Sequence, residues 1–241
     1  MQGARHILPL LALTTALRAD PLDNTRRAEA MLGTGVWTRV LQIENVTAGG
    51  RYPRNVYALV FELSGILWFY TDSDGTQSLS THLGTVDSDK ENLGPLLLQI
   101  DPGFVRWAVL AAGEGMRPGR GRIPNGCFIE SVALLRRRLE SGMEAQQARL
   151  LSYYVSRPDG LHGHTVLQFS SNGRVMLVDP DRPQRIVHIR PRSRDDAASC
   201  IACVRNDVAR ARWIKLEGWA APGATAGGMD EVPGQQGRSA S

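Results

Sequence analysis

Cys127 stands apart from the C-x-x-C formed by Cys200 and Cys203, and it follows Asn125-Gly126 where a helical pattern begins. A thiol in the first turn of a helix meets unpaired backbone N–H groups and the positive end of the helix dipole, and both favour its thiolate. The same N–H groups can hold the oxyanion formed when a thiolate attacks a carbonyl. This chemistry also needs a base and a group that orients the base. His164 and Asp179 lie on two strand-like runs joined by Asn172-Gly173, a two-residue hairpin turn. With that turn Ser171 faces Arg174, Val166 faces Asp179 and His164 faces Asp181, so His164, Asp179 and Asp181 share one face. A carboxylate on that face can accept the proton of one imidazole nitrogen, setting the tautomer in which the other takes the thiol proton. Asp179 is diagonal to His164 and Asp181 directly opposite; the register leaves both as orienters, and His162 stands as an alternate base. Each residue also has a plain structural use. A lone cysteine on an amphipathic helix is usually a small buried hydrophobe, and Asp-Pro-Asp commonly ends a strand.

The elements that must position these groups are readable in outline. From Cys127 to Ser141, Phe128, Val132, Leu135 and Leu139 form the core-facing stripe of a helix that Gly142 ends. Strands are predicted over Leu151–Ser156, Thr165–Ser170, Arg174–Val178 and Arg185–Arg190, followed by a helix or loop over 196–213. Ahead of the thiol, a helix is expected from Asn24 to Leu32, with Asn24 or Thr25 as cap and Gly33 as stop. A strand follows at Trp37–Ile43, then a hairpin of Val56–Glu62 and Ile66–Tyr70 across Leu63-Ser64-Gly65. A turn at Asp72-Ser73-Asp74-Gly75 precedes a strand over Gln77–His82. Helices are expected over Asp87–Ile100, interrupted at Gly94-Pro95, and over Phe104–Ala111. The Gly- and Pro-rich residues 112–126 read as a linker loop between an N-terminal region, 20–111, and a C-terminal core, 127–219. The tail from 220 to 241 has the composition of a disordered segment.

Composition narrows the function. Arg5 and His6 precede the apolar run Ile7–Leu17, with Ala19 before a cut and Asp20-Pro21 opening the mature chain, the pattern of a bacterial export signal over 1–19. The protein is therefore expected to be periplasmic or secreted. No segment is long and apolar enough for stable membrane insertion. Removing 1–19 takes Arg5 and Arg18 and no acid, lowering the net charge from +4 to +2. The remaining arginines alternate with acids and build no basic stripe with aromatics, so no nucleic-acid partner is expected. In an oxidising compartment Cys200 and Cys203 can close a local disulfide. No βαβ context surrounds them as a thioredoxin-like redox motif requires. Zinc would find only His188 near them in sequence, and no glutamate closes a calcium loop at Asp72–Gly75. Neither a metal nor a cofactor is expected, and the sequence sets no oligomeric state.

Asn125-Gly126-Cys127-Phe128 opening a helix, then Gly163-His164-Thr165-Val166-Leu167-Gln168-Phe169, then Val175-Met176-Leu177-Val178-Asp179-Pro180, resembles the core of the papain-like and transglutaminase-like thiol superfamily. The resemblance covers roughly residues 121–190. It implies an α+β protein, with a papain/transglutaminase-like helix packed on an antiparallel sheet behind a small mixed α/β N-terminal region. It further implies Cys127 as nucleophile, His164 as base and Asp179 as orienter, acting on peptide or protein amides through an acyl-thioenzyme. Gly121 stands where papain-like peptidases carry the oxyanion glutamine, and Phe128 where papain itself has tryptophan. Transglutaminase-like members often lack that glutamine. A different class of function is an envelope or binding protein that keeps the fold without activity.

Overall fold

The computed structural model describes residues 20–47, 54–72, 81–85, 90, 92–112, 122–143, 148–158 and 160–214. The export signal, residues 73–80, most of the expected linker and the C-terminal tail lie outside them. The protein is α+β, with two five-stranded antiparallel sheets and four helices among the described residues.

Helix α1, Pro21–Leu32, starts one turn earlier than the sequence led us to expect: Asp20 is its cap, accepting from Leu22 N–H at 3.0 Å, with Pro21 in the first turn. Asn24 and Thr25, the expected caps, are buried in the body of the helix instead. The first sheet has the order β4-β3-β2-β1-β5. It comprises β1 (Thr38–Asn45), β2 (Asn55–Leu63), β3 (Ile66–Thr71), β4 (Thr81–Thr85) and β5 (Phe104–Val109). Helix α2 is only Gly94–Ile100, because Pro95 suits a first turn and not a helix interior.

Strand β5 corrects the helix expected over Phe104–Ala111. It pairs along β1 with Ile43 opposite Trp107 and Leu41 opposite Val109. Val105, Trp107 and Val109 have strand propensity, and the open edge of β1 offers them a ladder of hydrogen bonds.

Helix α3, Cys127–Glu140, precedes the second sheet, whose order is β10-β6-β7-β8-β9. Its strands are β6 (Ala148–Arg157), β7 (Gly160–Ser171), β8 (Arg174–Val178), β9 (Ile186–Ile189) and β10 (Val208–Ile214). Between the last two sits α4, Ala197–Ile201. Strand β10 replaces the helix or loop expected there: Ala211 and Trp213 alternate with Arg210 and Arg212, and the former pair faces Tyr153 and Leu151 of β6. No helix among the described residues is long and apolar enough to cross a membrane.

Helices α1 and α3 share a core with both sheets. Ala28, Leu32, Leu59, Phe61, Trp68 and Tyr70 from the first part meet Phe128, Ile129, Val132, Leu150, Leu167 and Phe169 from the second. Phe128 is the hinge of this contact, with its ring 4.6 Å from Trp68 and 6.3 Å from Phe61. The outer face of the second sheet buries Leu151, Tyr153, Val166 and Leu177 against Ala197, Cys200 and Ile201 of α4. Gly33 ends α1 at φ 78°, where the Arg136 guanidinium donates to Leu32 C=O at 2.7 Å; a Cβ on Gly33 would meet Arg136 Nη1 at 1.4 Å.

Candidate active site

The thiol is placed by the turn before it. Asn125 takes φ 50°, and Gly126 N–H donates to Ile123 C=O at 3.1 Å. Two side chains hold this turn from either side. The Tyr70 hydroxyl donates to Pro124 C=O at 3.0 Å, and Glu130 Oε1 accepts from Ile123 N–H at 3.1 Å. Burial, with Asp72 nearby, keeps the Tyr70 hydroxyl firmly protonated and so a donor. Burial likewise raises the Glu130 carboxyl, against the Ile123 N–H and the Arg122 guanidinium, whose Nε lies 3.7 Å away. Replacing Tyr70 by Phe leaves the Pro124 carbonyl without this donor. It should lower stability by about 1–2 kcal/mol, read from urea denaturation; an unchanged midpoint would mean that the turn is held without it.

Cys127 is the first residue of α3 and half-buried, and no side chain caps the helix. One turn further on, Ser131 Oγ donates to Thr165 C=O at 2.9 Å, and Thr165 Oγ1 lies 2.7 Å from Ser152 Oγ. These buried bonds seat the start of the helix against β7 beside His164.

The hairpin of β7 and β8 has the expected register from Ser171 opposite Arg174 to Leu167 opposite Val178. The ladder stops there, correcting the expectation that Val166 faces Asp179 and His164 faces Asp181. Pro180 has no N–H for a further rung, and Asp179 C=O is used by Arg182 N–H at 2.9 Å in a turn. At the end of β8 the Asp179 carboxylate meets His164: Nε2 and Oδ1 are 2.9 Å apart. The same Oδ1 accepts from Asp181 N–H at 2.9 Å. The Asp181 carboxylate itself forms an ion pair with Arg122.

His164 Nε2 bonds Asp179, and Cys127 lies close enough to bear on the protonation of the ring. With Nε2 turned to Asp179, Nδ1 is the nitrogen left for the sulfur. Burial alone would favour the neutral imidazole. The hydrogen bond to Asp179, with Cys127 close by, outweighs it, and the ring's pKa is raised to about 10. Asp179 moves the other way. Burial opposes its charge, but His164, the Asp181 N–H and Arg122 hold the carboxyl below the usual aspartate range. Tyr153, opposite His164 in the β6–β7 ladder, packs edge-to-face with the imidazole, the ring centres 5.5 Å apart. Arg205 lies over the Tyr153 ring, 5.7 Å from its centre, and is itself tied to Asp207 by bonds of 2.8 and 2.6 Å.

The structure thus brings Cys127, His164 and Asp179 together, with Asp179 rather than Asp181 bonded to the imidazole and both alternates lining the cavity beside it. Asp181 supports Asp179 through its backbone. His162 is exposed and lines a cavity of about 220 Å³ with His164, Asp179, Asp181, Tyr153 and Arg205. Tyr70, Arg122, Glu130 and Tyr153 were not picked out from sequence. Glu130 carried a signal, being a charged residue next to the apolar stripe of α3 only one turn from the thiol. The remaining contacts span long stretches of chain.

The C-x-x-C does not form the expected disulfide: Cys200 and Cys203 are free thiols. Cys200 points into the core beneath α4, its thiol 3.7 Å from the carbonyls of Ser193 and Arg194, and burial pushes it up to about 11. Cys203, past the end of α4, is exposed and turns to Ser199 C=O at 3.5 Å. One sulfur is buried and the other exposed. No protein-family model, curated protein or solved structure matches this chain.

Proposed function

We propose that the protein is an exported thiol hydrolase or acyltransferase of the papain-like or transglutaminase-like kind, acting on peptide or protein amides. One observation carries the reading: an imidazole that hydrogen-bonds a carboxylate lies beside a cysteine that opens an uncapped helix. In that arrangement the Cys127 sulfur attacks the amide carbon, and the carbonyl oxygen takes the negative charge beside the first N–H groups of α3. The C–N bond then breaks, and protonated His164 delivers its Nδ1 proton to the leaving amine. Water, or an amine acceptor, attacks the acyl-thioenzyme with His164 as base and returns the thiol. Asp179 keeps the ring oriented throughout and stabilises its charged form. Export is supported by the basic and then apolar run ahead of Asp20.

The test is to trap the acyl-thioenzyme. Incubation with p-nitrophenyl acetate should release nitrophenol in a burst and place one acetyl group on the Cys127 peptide, located by mass spectrometry. The Cys127→Ser variant should lose both signals. Acetylation confined to Cys203, or equal in the variant, would end the enzymatic reading and leave a binding protein with an inert thiol.

A further inference from the structure

The cavity beside the His164–Asp179 pair is lined by two imidazoles and two carboxylates, in an H-x-H and a D-x-D. His162 and His164 stand two apart on β7, so their side chains leave the same face. Asp179 and Asp181 stand two apart where the chain leaves β8. One ligand atom from each of His164, Asp179 and Asp181 lies within 4.8 Å of the others. Asp179 meets His164 and the Asp181 N–H through Oδ1, and Asp181 meets Arg122 through Oδ1, so each carboxylate has its Oδ2 outside these bonds.

We propose that this cavity binds a divalent transition-metal ion of the zinc type, through His164 Nε2, Asp179 and Asp181, with His162 as the fourth ligand. Imidazole with carboxylate suits zinc, whereas magnesium and calcium favour all-oxygen shells. Tetrahedral ligands about 2.0 Å from zinc lie about 3.3 Å apart, a contraction that rotation of two short, part-exposed aspartates supplies. Arg157 and Arg205 line the same cavity, but Arg205 is paired with Asp207. Zinc must take the Nε2 lone pair, so the proton that Nε2 now shares with Asp179 leaves to solvent. The ion and the His164–Asp179 hydrogen bond therefore exclude each other. Metal binding stands on the clustering of His164, Asp179 and Asp181, with His162 on the wall of the same cavity; that it silences Cys127 rests on the function proposed above.

Equilibrium dialysis of the full, chelator-stripped chain against zinc chloride should show one bound equivalent. Asp181→Asn keeps an oxygen for Arg122 but removes the ligand charge, and His162→Ala removes the fourth ligand. Each should weaken zinc binding by at least about tenfold, with circular dichroism unchanged. Zinc binding equal in wild type and both variants, or lost in Cys203→Ser instead, would overturn the site, as would no binding by the wild type. Zinc should also slow iodoacetamide labelling of Cys127 in the wild type, reversibly with EDTA, and have at least about tenfold less effect in Asp181→Asn. Zinc bound here with labelling unchanged would overturn the exclusion. A Cys127 inert even without zinc would instead count against the thiol function, and dialysis would still decide the metal.

Discussion

His164→Ala should slow iodoacetamide labelling of Cys127 by about 10²-fold or more at neutral pH, while Cys203, exposed and distant in sequence, labels at its wild-type rate. In the proposed pair the imidazole is the cationic partner of the sulfur, and its removal takes that charge from beside Cys127. Asp179→Asn should fall between the two, because an amide still bonds the ring but no longer favours its charged form. Peptide mapping after a timed pulse of reagent separates the three thiols. Equal labelling of Cys127 with and without His164 would show that the two do not act as a pair.

The same substitution carries a pH signature. The folded-state pKa of His164 is raised from 6.5 to about 10, so its protonation adds stability that is present in full below 6.5. That contribution is lost as pH rises through about 10. Wild type and His164→Ala should therefore converge in denaturation midpoint as pH climbs through this window.

Phe128→Ala should cost about 3–5 kcal/mol, the largest stability loss expected of any single truncation near the site. Phe128 is 5% exposed and joins Trp68 and Phe61 of the first sheet to the helix that carries the thiol. The cavity left behind cannot collapse easily, because α1, α3 and both sheets each hold one of its walls. Urea denaturation followed by tryptophan fluorescence reads the effect, and one transition should report both sheets. A loss below about 1 kcal/mol would show that the aromatic cluster does not bind the two sheets together.

The parts of this protein that rest on local rules were legible in its residues. The Asn172-Gly173 turn set the β7–β8 register, because a two-residue turn leaves a hairpin little choice. The apolar stripe of α3 placed Cys127 at a helix start, since side chains three and four apart must share a face. What depends on distant chain was not legible. Strand β5 exists because β1 has an open edge, and β10 because β6 has another; neither edge is visible from the segments that fill them. The preference for Asp179 over Asp181 was decided the same way. Arg122, far away in sequence, pairs with the Asp181 carboxylate, and Pro180 ends the ladder, so it is Asp179 that bonds the imidazole. The free state of Cys200 follows from burial beneath α4, a consequence of packing that the C-x-x-C spacing does not contain. Residue order determined which groups could react; tertiary packing determined which of them meet, because their partners arrive from segments that no turn or helical period connects.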